Sequence, residues 1–348
     1  MTIVSIPGES VPGSLPRSGR RSSTASWQHA LKNAIRDPWE LCRLLELDSA
    51  WADEAARATA GFPLFVPRSY AARMRPGDPH DPLLRQVLPI GAELTIHQGD
   101  STDPVGDLAA ALTPGLLQKY QQRVLMVATG ACAVHCRYCF RRHFPYGEAP
   151  HSPNAWEPAL EQIAADRSLR EVILSGGDPL TLIDAQLGDL ATRLAAIPHL
   201  VRLRIHTRLP VMIPERVTDE LLGWLRGTRL TPIVVIHANH AAELDAQVGA
   251  ALARLADAGV MLLNQAVLLR GVNDSAAAQI ELCERLVELR VIPYYLHQLD
   301  RVRGAAHFEV PIATGQAIIA AVRAALPGYA VPRYVQEIAG ATNKVVLG

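Results

Sequence analysis

Three cysteines crowd one short run, GACAVHCRYCFRRHF, at Cys132, Cys136 and Cys139. The spacing C-x3-C-x2-C brings three thiolates onto one loop, a pattern suited to a compact cubic iron-sulfur cluster with one iron left without a protein ligand. Such an iron is open to a second cofactor. The alternative is a structural zinc site with His135 or His143 as fourth ligand. Closed zinc sites usually draw their ligands from two separated knuckles, however, and the sequence holds no second cysteine pair. Cys42 and Cys283 sit at helical spacing among apolar residues, in ELCRLLEL and IELCERLVEL, and read as buried small hydrophobes.

A second signal lies in the cations. Of 34 basic residues, only Lys32, Lys119 and Lys344 are lysines. A guanidinium can replace an ammonium as a surface charge, but it cannot condense with a carbonyl as a primary amine does. The retained lysines are therefore candidates for that chemistry. Acidic residues also number 34, so the net charge is zero and no basic field exists to hold a nucleic acid or an anionic membrane. Small neutral or zwitterionic substrates are the more natural partners. No apolar stretch is long enough to cross a bilayer, Arg20-Arg21 is followed by SSTASW rather than a hydrophobic signal core, and few cysteines are left for disulfides. A cytoplasmic location is expected.

The elements that must position these residues follow from periodicity. Residues 1–25, rich in Ser, Gly, Pro and Arg, read as a mobile tail. A helical pattern from Trp27 to Leu47 is interrupted at Asp37-Pro38, and the Pro-rich stretch 62–89 is expected to wrap the domain. From Arg123 onward, apolar or β-branched runs alternate with helical patterns. Strands are predicted at 123–129, 171–175, 202–207, 232–238, 261–269 and 291–299, with helices near 154–167, 184–195, 218–226, 241–258 and 275–290. A helix at 313–325 and a strand at 333–338 then lead to Lys344. This α/β alternation implies a parallel sheet with crossover helices, either doubly wound or a complete or partial barrel, with chemistry at the carboxyl ends of the strands.

The cysteine loop, with Tyr138 as the aromatic of C-x3-C-x-aromatic-C, resembles the signature of radical S-adenosylmethionine (SAM) enzymes. SGGDPL (175–180), RLPVMIPERVT (208–218), NQAVLLRGVND (264–274) and YYLHQLD (294–300) resemble the lysine 2,3-aminomutase branch. The nearest likeness is to the shorter bacterial form that makes β-lysine for elongation factor P. The resemblance implies a partial (β/α)6 barrel over 116–310, an N-terminal helical and wrapping region over 26–115, and a C-terminal segment over 311–348 that binds pyridoxal 5'-phosphate (PLP).

It also implies roles. Cys132, Cys136 and Cys139 would ligate a 4Fe-4S cluster whose fourth iron holds SAM. Tyr138 would lie near the adenine, Ser175, Gly176, Gly177 and Asp178 at the SAM amino group, and Gln265 at the ribose. Lys344 would carry PLP, in a loop where Gly340-Ala341-Thr342-Asn343 replaces the family's run of glycines. Lys119 and Arg123, spaced so as to share a helical face, would hold its phosphate. Arg141 would grip the substrate carboxylate, and Asp300 and Glu337 the ε-ammonium of lysine, which two converging carboxylates favour over glutamate. Arg142 and His143 read as solvated neighbours. The implied reaction is isomerisation of (S)-α-lysine to (R)-β-lysine, with SAM recycled as a hydrogen carrier. A flavodoxin- or ferredoxin-type electron donor and a ligase attaching β-lysine to elongation factor P would be functional partners. A homodimer is compatible with the resemblance.

Overall fold

The computed structural model describes residues 24–148 and 153–348; residues 1–23 of the expected tail lie outside the described residues. Ten strands form one sheet in sequential order. They are β1 (Ala111–Thr113), β2 (Leu116–Tyr120), β3 (Arg123–Thr129), β4 (Glu171–Gly176), β5 (Arg202–Thr207), β6 (Thr231–Ile236), β7 (Met261–Val267), β8 (Ile292–His297), β9 (Arg333–Gln336) and β10 (Val345–Val346). From β3 to β9 every neighbouring pair is parallel, whereas β1–β2, β2–β3 and β9–β10 are antiparallel. The first and last strands do not pair, so the sheet curls into an open barrel rather than a closed one. The six expected strands are β3 to β8, and the C-terminal segment adds a seventh parallel strand, β9.

Crossover helices at Glu157–Ala165, Asp184–Ala195, Asp219–Arg226, Ala246–Asp257 and Ala276–Glu288 cover the outer face. The last three start at side-chain caps: Thr218 accepts from Leu221 N at 3.1 Å, Asp245 from Val248 N at 2.9 Å and Ser275 from Ala278 N at 3.2 Å. The cap at Asp245 explains why the helix expected from 241 splits into a short 3-10 turn, Ala241–Glu243, and a helix that begins at Ala246.

Strand alternation decides which residues face inward. In β5 the buried residues Leu203, Ile205 and Thr207 alternate with half-buried Arg204 and His206, and Arg204 and His206 line the central cavity. Ser175 on β4, Gln265 on β7 and Tyr295 and His297 on β8 line it by the same period of two. The strands therefore carry polar side chains into the barrel while their apolar residues pack beneath the helices.

Two local expectations are corrected. Lys119 and Arg123 do not share a helical face; they sit on the two arms of a β2–β3 hairpin, with Tyr120 opposite Arg123 and Gln122 in the left-handed region at φ 63°. The spacing of four suited a helix, but a two-residue turn uses it equally well. Arg142 is also not solvated: its guanidinium donates to Glu93 Oε2 at 2.8 Å and to the Gly304 carbonyl at 3.0 Å. His143 is exposed and donates from Nε2 to the Arg303 carbonyl at 3.2 Å.

Candidate active site at the open barrel

The Pro-rich segment wraps the cysteine loop. The Phe65 carbonyl accepts from His135 N at 3.0 Å, and the carbonyls of Phe62 and Pro63 accept from buried Arg137 at 2.9 and 3.4 Å. His135 donates from Nδ1 to Pro63 O at 2.8 Å and stacks on Phe62, which gives it a structural role. Among the described residues, no three His, Cys, Asp or Glu side chains are arranged to hold a single metal ion. With His135 committed to Pro63 and Phe62, it is not free to complete a zinc site, and three thiolates alone suit a cluster in which each takes a different iron. Burial and the neighbouring Cys139 thiol push Cys132 well above an ordinary thiol, and burial followed by Cys136 pushes Cys139 up to about 11. A cationic iron-sulfur core supplies the positive charge such a triad needs for its thiolate form. Arg208 adds a guanidinium 2.8 Å from Cys136 Sγ, with its far edge tied to Gln86 and Glu243, both at 2.7 Å.

The glycines at the end of β4 bring two stretches of backbone close together. Gly177 N donates to Thr129 O at 2.9 Å and Asp178 N to Ala131 O at 2.7 Å, so this backbone packs on the cysteine loop itself. A Cβ at Gly176, where φ is +116°, would lie 2.6 Å from Thr129 O, and one at Gly177 would collide with Ala131 O. Asp178 is buried, and its carboxylate accepts from Leu180 N, Thr207 Oγ1, Arg208 N and Leu209 N at 2.7 to 3.1 Å. It clamps the end of β4 to the loop after β5.

At the opposite wall, the β9–β10 hairpin pairs Val345 with Gln336 and so sets Lys344 beside Glu337. Their side chains form an ion pair, and Glu337 also accepts from Tyr120 OH at 2.7 Å. Burial alone would raise the Glu337 carboxyl; Lys344 and Tyr120 reverse the effect and hold it below the usual range. Gly340 at φ +79° turns the intervening loop. Lys119 lies 3.7 Å from Glu337 and 2.6 Å from Asp107, which also takes Arg141 Nε at 2.6 Å. Alternating charges thus run Lys344, Glu337, Lys119, Asp107, Arg141. Burial would raise Asp107, but Arg141 and Lys119 keep it low. Asp107 was not singled out in the sequence; a lone acid in a loop carries no local pattern. Arg141 also donates to Ser175 Oγ at 3.2 Å.

Asp300 has no lysine or arginine within ion-pair distance among the described residues. Burial, with Glu337 next, pushes its carboxyl up to about 7. It is the acid most in need of an added cation. Tyr138 OH accepts from Asn239 at 2.6 Å, and Gln265 meets His237 Nε2 at 3.0 Å. Arg123 covers the Tyr120 ring at 4.6 Å. All fifteen residues to which the resemblance gives a cofactor or substrate role, from Lys119 to Lys344, line one cavity of about 750 Å³, whereas Lys32 and His143 do not.

A parallel open barrel with a three-cysteine loop after its first parallel strand defines a radical SAM enzyme, and the radical SAM superfamily model matches residues 126–228. Over 326 residues the chain is 46% identical to L-lysine 2,3-aminomutase of Escherichia coli (strain K12), covering 93% of this chain and 95% of that protein. The Haemophilus influenzae enzyme of the same name is 44% identical over 92% of this chain and 95% of its own length. That of Clostridium subterminale is 35% identical over 91% and 76%. The chain belongs to the L-lysine 2,3-aminomutase family of isomerases, whose cofactors are a 4Fe-4S cluster, SAM and PLP. Among the described residues, no helix is long and apolar enough to cross a membrane.

Proposed function

We propose that this chain converts (S)-α-lysine to (R)-β-lysine with its amine-bearing Lys344 and its thiol triad acting on one enclosed substrate. The observation that carries this reading is the shared cavity: the triad on one wall and the lysine amine on the other, with Arg141, Asp300 and Glu337 between the same walls. When bound, the cluster with SAM supplies a carbon-centred radical, and PLP supplies the ring over which the migrating nitrogen's radical is spread.

The protein's own part is placement. Cys132, Cys136 and Cys139 would hold the cluster. Tyr138, Ser175, Gly176, Gly177, Asp178 and Gln265 would border SAM, with Asp178 acting through the backbone it clamps. Lys344 would bind PLP, and Arg123 and Lys119 would face its phosphate. Lys119 already carries two carboxylate neighbours, so Arg123 contributes the larger net positive charge. Arg141, fixed at Nε by Asp107, would present its remaining edge to the substrate carboxylate. Asp300 would receive the ε-ammonium, which restores its charge, and Glu337 would hold the amine of Lys344 or of the substrate.

The wider reading is that β-lysine made here is ligated to elongation factor P, that a flavodoxin- or ferredoxin-type donor supplies the electron, that the chain acts in the cytoplasm, and that it assembles as a homodimer. Turnover of lysine under anaerobic conditions with dithionite, SAM and PLP tests the core of the proposal. β-Lysine should form with the native chain and be lost in Lys344→Ala and in Cys136→Ala; undiminished turnover in either variant contradicts it.

A further inference from the structure

Four polar positions on successive inner strands or strand ends, His206, His237, Gln265 and His297, ring the cavity between the cysteine loop and Lys344. His237 and Gln265 satisfy one another at 3.0 Å. The other two do not. Neither ring nitrogen of His206 or of His297 makes a hydrogen bond among the described residues, and Nε2 of each is buried without a partner. His206 sits on β5 and His297 at the end of β8, and both line the cavity. An unpaired buried polar group costs about 1 to 3 kcal/mol. Two such groups facing one cavity are a natural place for a ligand's polar atoms.

Their charge state narrows the ligand. His206 is held well below an ordinary imidazole by burial, then by Arg204, His237 and Lys344; His297 by burial, then by Lys344 and His237. Both are uncharged rings, able to donate from one nitrogen and accept at the other, and a ring rotation can present either nitrogen. Lys344 acts electrostatically on both, so they neighbour the amine that the proposed function assigns to PLP. Three of the acids of the cavity wall are otherwise engaged, Asp107 with Arg141 and Lys119, Asp178 with backbone and Thr207, and Glu337 with Lys344 and Tyr120, and the fourth, Asp300, is the one the proposed function gives to the substrate's ammonium.

We propose that His206 and His297 are positioning residues for the pyridine ring carried by Lys344, holding its polar edge through hydrogen bonds from their otherwise unpartnered ring nitrogens. The inference rests on Lys344 as the PLP lysine. Its physical consequence is that the two strands hold the ring through imidazoles, since the nearby Arg204 is tied to Glu171.

The test uses the full chain, purified anaerobically and with its cluster reconstituted, titrated with PLP while the visible absorption of the protein-bound cofactor is followed. His206→Leu and His297→Leu should each weaken PLP binding about five- to tenfold, the scale of one net hydrogen bond, and shift the absorption maximum. His206→Asn and His297→Asn, which restore a hydrogen-bonding side chain of smaller size, should recover most of the affinity and move the maximum back. Iron content and circular dichroism identify any variant that has lost its fold, and the Asn pair then carries the decision. Native affinity and an unshifted maximum in the Leu variants, or equal losses in Leu and Asn variants with the fold intact, overturn the proposal. Lys344→Ala separates the two readings: a covalent PLP band that survives it refutes the cofactor lysine itself, whereas loss of that band with unaffected histidine variants refutes only the histidine clamp.

Discussion

Replacing Asp107 by Asn tests how the carboxylate-gripping arginine is held. Asp107 is 2% exposed at its side chain and stands 2.6 Å from both Arg141 Nε and Lys119 Nζ. Asparagine keeps the shape and a carbonyl acceptor but removes the charge, leaving two buried or half-buried cations facing each other. Stranding a charge by removing one partner of a buried pair typically costs 3–5 kcal/mol, and the retained acceptor places Asp107→Asn near the lower end, about 3 kcal/mol. Because the carboxyl is held low in the folded state, its contribution is full above the unfolded carboxylate value and fades as the pH falls through the folded one. Native and variant curves should therefore converge in acid. The assay is the urea midpoint of the reconstituted protein across pH, with steady-state kinetics at neutral pH, where KM for lysine should rise about tenfold as Arg141 loses its fixed edge. In an Arg141→Gln background the same Asp107 substitution should cost at least about 1 kcal/mol less, since fewer cations are stranded. A loss below about 1 kcal/mol in the native background, or equal losses in both, refutes the coupling.

Gly177→Ala should abolish cluster incorporation, because the added Cβ meets the Ala131 carbonyl on the cysteine loop; iron content reads it out, and Gly340→Ala, with open space around it but φ +79°, should cost only about 1 kcal/mol in stability. Asp300→Asn should stabilise the substrate-free protein by on the order of 2 kcal/mol at pH 8. The folded carboxyl is raised to about 7, so the stability cost it imposes is absent below the unfolded value of about 4, grows as the pH rises towards 7 and is complete above that, and the gain should vanish in acid denaturant titrations. The same variant should raise KM for lysine by tenfold or more. Arg137→Leu should cost about 3–5 kcal/mol, since Glu93 loses its bidentate partner at 2.6 and 2.8 Å and keeps Arg142 as its one cation, with the Ile90 N–H; a denaturant midpoint within error of the native one contradicts that.

The parallel strands and their crossover helices were legible in the sequence because the strands are short apolar runs between amphipathic helices, whereas the choice of a partial barrel over a doubly wound sheet came from the family resemblance. The β3 and β5 bounds agree with the predicted spans, and β7 and β8 end two residues before the predicted limits. Cysteine spacing and lysine scarcity marked the two chemical poles. What stayed hidden depends on long-range pairing. Lys119 and Arg123 looked helical because a spacing of four is shared by a helix and a tight hairpin, and only the β2–β3 register separates them. Asp107 and Glu93 carry no local pattern, and their importance comes from partners 34 and 44 residues away; Arg208 opens the RLPVMIPERVT motif, but its contact with Cys136, 72 residues away, shows only in the fold. The closeness of Gly177 to Ala131 likewise appears only when two loops meet.

The central claim, that hydrogen abstraction and the amine of Lys344 act within one cavity, is tested most directly with lysine deuterated at C3. The reconstituted, reduced protein with SAM and PLP should pass deuterium from lysine to the 5' carbon of SAM and on into β-lysine, and Lys344→Ala should pass none. β-Lysine formed without any label in SAM, or label transfer that persists in Lys344→Ala, contradicts the account.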